Sequence, residues 1–354
     1  MEKILVTGGC GFVGSNLAVK LKEQYPDVAV VAFDNLKRRG SELNVKRLLE
    51  AGVQFVHGDI RFQQDIFEVG PIDLIVDAAA EPSVHAGMDG STDYLVQTNL
   101  NGTINCLNLA RSCGAGFIYL STSRVYPIER ICEIGLVEEE TRFAISKEQK
   151  LSGVSERGIT SSFTLEGHRT LYGATKLCSE HMVNEYREAF GIRTIINRCG
   201  VIAGPYQMGK VDQGFAVLWM ARHLWKQPLG YFGYDGTGKQ VRDLVHIDDM
   251  FDLICAQING LDKYSGRTFN AGGGISNSVS LMELTAVCEK ITGNIVSIKK
   301  VKETASTDIP IYVTDNSEIS ECTGWIPKCN VEEVMSDIYA WLRANENVLK
   351  PILT

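Results

Sequence analysis

Lys3–Ser15 reads KILVTGGCGFVGS: an apolar run that breaks into glycine at Gly8, Gly9, Gly11 and Gly14 and then continues with helical spacing. That order predicts a strand, a tight turn and a helix start. Glycine at the turn lets the backbone approach a pyrophosphate, which the N–H groups of the helix N-terminus then bind, so Gly8, Gly11, Phe12, Val13 and Gly14 are candidate contacts to a dinucleotide. Alone, the pattern also fits a strand–helix turn that binds nothing. A second apolar run, Val28–Phe33, ends in Asp34, about twenty residues past the last glycine, where a carboxylate accepts hydrogen bonds from the adenosine ribose hydroxyls. The same carboxylate repels a 2'-phosphate, which favours NAD over NADP, while Lys37, Arg38 and Arg39 pull the other way.

Working outward, strand-length apolar runs recur at Lys3–Val6, Val28–Phe33, Val53–Val56, Leu74–Ala78, Phe117–Leu120 and Thr194–Ile196, separated by helix-like stretches. Such alternation predicts an α/β fold with a doubly wound parallel sheet covered on both faces. The long amphipathic segments Thr98–Ser112 and Gly173–Phe190 either cover this sheet or pair across a dimer. Tyr126–Leu171 carries charge, Ser and Gly with little periodicity, and is expected to be functional or partly mobile, as a lid. After Arg198 the alternation turns irregular, and helical patterns at Leu281–Ile291 and Val331–Arg343 predict a smaller mixed α/β C-terminal lobe. The expected division is 1–200 as the dinucleotide-binding domain, with a returning segment 240–272, and 201–239 with 273–354 as the substrate lobe.

Bulk composition narrows the function classes. The 354 residues exceed one typical core, and the net charge of -8 gives no general attraction to nucleic acid or anionic membrane. The ten cysteines include no C-x-x-C pair and no Cys/His cluster at metal-ligand spacing, so no metal is expected and the thiols read as reduced. With no signal peptide or apolar stretch long enough to span a bilayer, a cytoplasmic protein is expected.

Tyr172 and Lys176 are four apart at the start of a helix-like segment, so they share one face a turn apart. A free tyrosine has a pKa of about 10, and a neighbouring ammonium lowers it by favouring phenolate, which makes a general base. Helices also carry this pair by chance. Leu120-Ser121-Thr122-Ser123-Arg124-Val125-Tyr126, however, puts hydroxyls at the C-terminal end of a parallel strand, the edge where such sheets bind ligands.

Together, the glycine turn, Asp34, the strand-end hydroxyls and the tyrosine–lysine pair resemble the extended short-chain dehydrogenase/reductase family over essentially the whole chain. Gly58-Asp59-Ile60 is similar to its adenine-contacting turn and Ala78-Ala79-Ala80 to its wall at the pyrophosphate, and the resemblance implies that Asn35, next to Asp34, also contacts the cofactor. Asn99 is similar to the asparagine that steadies its active-site helix. Each has a plainer reading: Asp59 caps a turn, the alanines are core, Asn99 caps a helix. The resemblance implies that Tyr172 deprotonates a sugar hydroxyl, that Lys176 also holds the nicotinamide ribose, and that Thr122, or its competitor Ser123, bonds the reacting oxygen.

Family members that dehydrate carry an Asp-Glu pair directly after this threonine, because eliminating water needs an acid and a base. Here Ser123 and Arg124 stand there, which disfavours a 4,6-dehydratase. Asp212-Gln213-Gly214, Gly238-Lys239-Gln240-Val241-Arg242-Asp243 and His246 resemble the CDP-paratose 2-epimerases. That implies inversion at C2 of a nucleotide-diphosphate sugar through a 2-keto intermediate, with NAD tightly bound and regenerated each turnover, in a homodimer or homotetramer. Thr122, Ser123, Arg124, Asp212, Gln213 and Arg242 would contact the substrate. Arg242 alternatively pairs with Asp243 or Asp248, and Asp212 and Gln213 cap the helix near Gly214. A 4-epimerase needs the same residues, and a non-catalytic NAD-binding regulator needs no base. The sequence departs from the family at Pro310, where relatives carry a diphosphate-gripping arginine, at Val201, where they carry an asparagine, and at Pro127, where they carry a glycine. His85, His168 and His246 are further polar candidates.

Overall fold

The computed structural model describes residues 1–88, 91–209 and 214–353. Apolar runs with no polar alternation must bury both faces, and these form a seven-stranded sheet. Strands β1 (Lys3–Thr7), β2 (Ala29–Asp34), β3 (Gln54–His57), β4 (Leu74–Asp77) and β5 (Gly116–Thr122) lie in the order β5-β4-β1-β2-β3. Beyond β5 come Thr194–Cys199 and then Arg267–Ala271 at the edge. The five labelled strands pair in parallel, and Ile4, Leu5 and Val6 are fully buried. Strand order reverses between β1 and β4, where such sheets open a crevice at their C-terminal edge. Arg267–Ala271 adds a strand to the six apolar runs.

By compactness the chain divides into two units. The first is Met1–Val125 with Thr170–Arg198 and Phe251–Phe269, and contains most of the large sheet. The second is Tyr126–Arg169 with Cys199–Met250 and Asn270–Thr354. These bounds differ from the expected ones: 126–169 joins the second unit, and the returning segment is 251–269 rather than 240–272. In the second unit Val201–Ala203, Val241–His246, Ser278–Ser280 and Ile311–Tyr312 form a small sheet, beside a core of helices Phe215–Leu224, Leu281–Thr292 and Val331–Ala344. Capping boxes Ser280/Glu283 and Asn330/Glu333 start the last two helices.

The segment expected as a lid is built into this second unit. Tyr126 and Ile159 are buried, Phe163 stacks edge-on against Tyr126, and the Tyr126 hydroxyl donates to Asn270 Oδ1 at 2.7 Å. Two small hairpins follow, Leu136–Glu138 with Phe143–Ile145 and Val154–Ser155 with Gly158–Ile159. Strands of two or three residues are too short to print a period. Arg142 ties the first hairpin down, donating to Glu283 and to Ser278 Oγ and O. Among the described residues no helix is long and apolar enough to cross a membrane, and no His/Cys/Asp/Glu group suited to a metal occurs.

Candidate active site

The glycine turn is built as its sequence implies. Helix α1 (Phe12–Gln24) starts from Gly11 with no side chain capping it, so its first-turn N–H groups face outward past the loop. The packing is tight enough to require glycine: a Cβ on Gly14 would lie 2.1 Å from Gly8 O, and one on Gly8, whose φ is +61°, 2.9 Å from Ala78 O. Gly8 therefore rests on the Ala78-Ala79 backbone, and Ala79 N donates to Thr7 Oγ1 at 3.2 Å.

Asp34, at the end of β2, accepts from Cys10 N at 3.0 Å and Leu36 N at 2.8 Å, which locks the carboxylate to the loop. Burial pushes its carboxyl up, against these backbone bonds. Next to it, Asn35 Nδ2 donates to Asp59 Oδ2 at 2.9 Å. Burial opposes charge on Asp59, but Arg61, bonded through Nε and Nη2, outweighs it and holds the carboxyl below its usual range. Ile60 is buried and fills the space left open at Gly102. An uncapped helix start and a glycine-only cradle to donate to phosphate, with a carboxylate fixed beside them to accept from ribose, are what a dinucleotide needs, and the residues present fit NAD.

The helix Leu171–Phe190 is capped by Thr170 Oγ1, which accepts from Gly173 N. This sets Tyr172 in its first turn and Lys176 one turn on, largely buried at 8% and 2% exposure. Lys176 Nζ donates to Leu120 O at 2.8 Å and lies 4.0 Å from the Tyr119 ring centroid, so Lys176 is pinned against β5 just before Thr122. Thr122 ends that strand and its hydroxyl accepts from Arg124 N at 3.2 Å, while Ser123 and Arg124 begin a short 3₁₀ turn. Asn99 lies in a π-helical turn, Gln97–Asn101, a feature common at functional sites. Its amide accepts from Glu81 N at 2.7 Å and donates to Thr175 Oγ1 at 3.2 Å, joining the segment after Ala80 to the helix Leu171–Phe190.

Sequence reading missed the polar support beneath. Glu180, a turn beyond Lys176, is buried and accepts from Ser121 Oγ at 2.5 Å and from Arg198 Nε and Nη2, the latter at 2.8 Å. Asp77 accepts from Thr7 at 2.5 Å and Thr103 at 3.1 Å. The spacing Lys176 to Glu180 was the one available signal.

In the second unit Arg242 is already engaged: Nη2 donates to Asp308 Oδ1 at 3.0 Å and to Ile309 O at 2.8 Å. Asp308 is thus its partner rather than Asp243 or Asp248. Asp243 is instead buried, accepting from Gly274 N and Thr314 N, and Asp248 N donates to His246 Nδ1. Pro310 O accepts from Val241 N, so the stretch expected to carry an arginine lies alongside Arg242 within this unit. His85 and His168 are exposed. Asp212 and Gln213 lie outside the described residues.

Residues 4–272 match the model of the NAD dependent epimerase/dehydratase family, and the chain belongs to that family. It is therefore an enzyme, and its cofactor is NAD. The chain is 32% identical over 352 residues to CDP-paratose 2-epimerase of Salmonella typhi, covering 96% of this chain and 98% of that protein. Among solved structures it is similar to UDP-glucuronic acid 4-epimerase from Bacillus cereus, in complex with UDP-glucuronic acid and NAD, at 25% identity and TM-score 0.74, covering 97% of this chain and 99% of that one. It is also similar to dTDP-glucose 4,6-dehydratase from Streptomyces venezuelae with NAD bound, at 27% identity and TM-score 0.77, covering 99% of each.

Proposed function

We propose that the chain is an epimerase that inverts C2 of a CDP-linked hexose or deoxyhexose through a transient 2-keto sugar, as in CDP-paratose/CDP-tyvelose interconversion. The observation that carries this reading is Lys176, one helical turn from Tyr172, pinned against β5 by its bond to Leu120 O, at the strand end that bears Thr122. Bound NAD would supply the hydride acceptor and donor for this inversion. Tyr172 takes the C2 hydroxyl proton and gives it back, and Thr122 or Ser123 holds the reacting oxygen. The Lys176 ammonium favours the phenolate and would bond the nicotinamide ribose. Gly8, Gly11, Phe12, Val13, Gly14, Ala79 and Ala80 would hold the pyrophosphate, and Asp34, Asn35, Asp59 and Ile60 the adenosine end, with Asn99 steadying the helix.

Ser123 and Arg124 offer no acid–base pair for removing water, which supports epimerisation over dehydration. The relative in Salmonella typhi supports C2 and the CDP nucleotide. Arg124, Arg242, Asp212 and Gln213 are proposed nucleotide-sugar contacts. For Arg242 to reach a diphosphate it must exchange Asp308 for phosphate oxygens, which suit its planar fork. A cytoplasmic homodimer or homotetramer completes the proposal.

The test is incubation of the purified holoenzyme with CDP-, UDP-, GDP- and dTDP-sugars in deuterated water, following C2 and C4 by NMR. Inversion at C2 of a CDP-sugar with no solvent deuterium at that carbon is expected. Inversion at C4 makes the chain a 4-epimerase, and deuterium at the inverted carbon replaces hydride return by proton abstraction.

A further inference from the structure

The buried lysine needs a counter-charge, because an ammonium out of water is costly unless paired. Two buried carboxylates lie near the catalytic helix in the first unit. Glu180 is taken, bound by the Arg198 guanidinium. Asp77 is fully buried at the end of β4, where it accepts from the hydroxyls of Thr7 and Thr103 among others. Parallel register puts Thr7, Asp77 and Tyr119 in one row across β1, β4 and β5, so their side chains share a face of the sheet. Lys176 sits over Tyr119 in that row.

We propose that Asp77 is a positioning residue: across the Tyr119 ring it supplies the negative charge that keeps Lys176 protonated, and through Lys176 it supports the Tyr172 base. The inference rests on the catalytic reading of Tyr172 and Lys176 given above. The other titratable groups facing this pocket do not compete for the role. Burial pushes the Tyr119 phenol and the Cys106 thiol, from helix Gly102–Cys113, well up, so both stay neutral, and Glu180 is spent on Arg198. Burial leaves the Asp77 carboxyl raised as well, opposed in part by Lys176 and then by the hydrogen bonds from Thr7, Thr103 and the Ala79 backbone.

Neutralising Asp77 removes the support for the ammonium. In Asp77→Asn holoenzyme the alkaline limb of the turnover–pH profile is expected to move down by roughly one pH unit. Thr103→Val removes a bond to the same carboxylate without changing charge and is expected to leave that limb in place. Equal displacement of the limb in both variants, or in neither, overturns the proposal. A second measurement needs no substrate and so stands apart from the epimerase reading. Lys176→Met strands the buried carboxylate, and adding Asp77→Asn is expected to restore the melting temperature by roughly 2–4 °C. A double variant no more stable than Lys176→Met, including one that fails to fold, refutes the pairing.

Discussion

Arg198→Met tests how β5 and the helix Leu171–Phe190 are held together. Arg198 and Glu180 are buried, with Nε and Nη2 reaching the carboxylate at 3.0 and 2.8 Å, while Ser121 donates to its other oxygen at 2.5 Å. Removing the guanidinium leaves a dehydrated carboxylate with the single hydroxyl of Ser121 from this set. Breaking a buried ion pair in this way costs about 3–5 kcal/mol. Removing both charges, as Arg198→Met with Glu180→Leu, deletes the desolvation penalty with the attraction, and the remaining loss is the bond from Ser121, about 1 kcal/mol. Urea unfolding followed by far-ultraviolet circular dichroism, with NAD held in the same excess throughout, separates the two cases. A single variant within about 1 kcal/mol of the parent, or a double variant less stable than the single, would refute the reasoning. Because Ser121 precedes Thr122 and Glu180 follows Lys176 by one turn, turnover is expected to fall in Arg198→Met as well.

Other expectations follow from the same geometry. Tyr172→Phe keeps bound NAD, read by absorbance of the released coenzyme, and loses roughly 10²–10⁴-fold in turnover, the span of general-base catalysis. Retained turnover would remove Tyr172 from the mechanism. Gly14→Ala places a Cβ against Gly8 O and forces the loop open, so the purified protein is expected to lose its NAD; full NAD content would show that the turn can shift freely. Glu283 illustrates the acid side of stability. Burial opposes its charge, but hydrogen bonds led by Arg142 hold it below 4.5, so its contribution is present above that pH and fades as pH falls through the lowered folded value. Glu283→Gln should flatten that part of the acid-unfolding curve, and an unchanged slope would count against the network.

Local patterns were the legible part of this chain. The glycine turn, Asp34 and the Tyr172–Lys176 spacing lie within single strand–turn–helix units, and the periodicity of Leu281–Ile291 and Val331–Arg343 matches helices Leu281–Thr292 and Val331–Ala344. Long-range polar partners left no such trace. Thr7 and Asp77 are 70 residues apart and Arg242 and Asp308 are 66, so Arg242's ion pair was sought among its sequence neighbours. Asp77 lies inside the apolar run Leu74–Ala78, and nothing local marks its partners until the register sets it beside Tyr119. Tyr126–Leu171 showed little periodicity because its order comes from packing and from Arg142, not from repeated local spacing.

The chain crosses between its two units five times, at Val125, Arg169, Arg198, Met250 and Phe269. Neither unit can therefore be cut out as one uninterrupted fragment. A nascent polypeptide emerging from the ribosome cannot complete the seven-stranded sheet until Arg267–Ala271 has been made, three-quarters of the way through translation. Until then the strand Thr194–Cys199 presents an open edge, a template for wrong pairing that late synthesis must close.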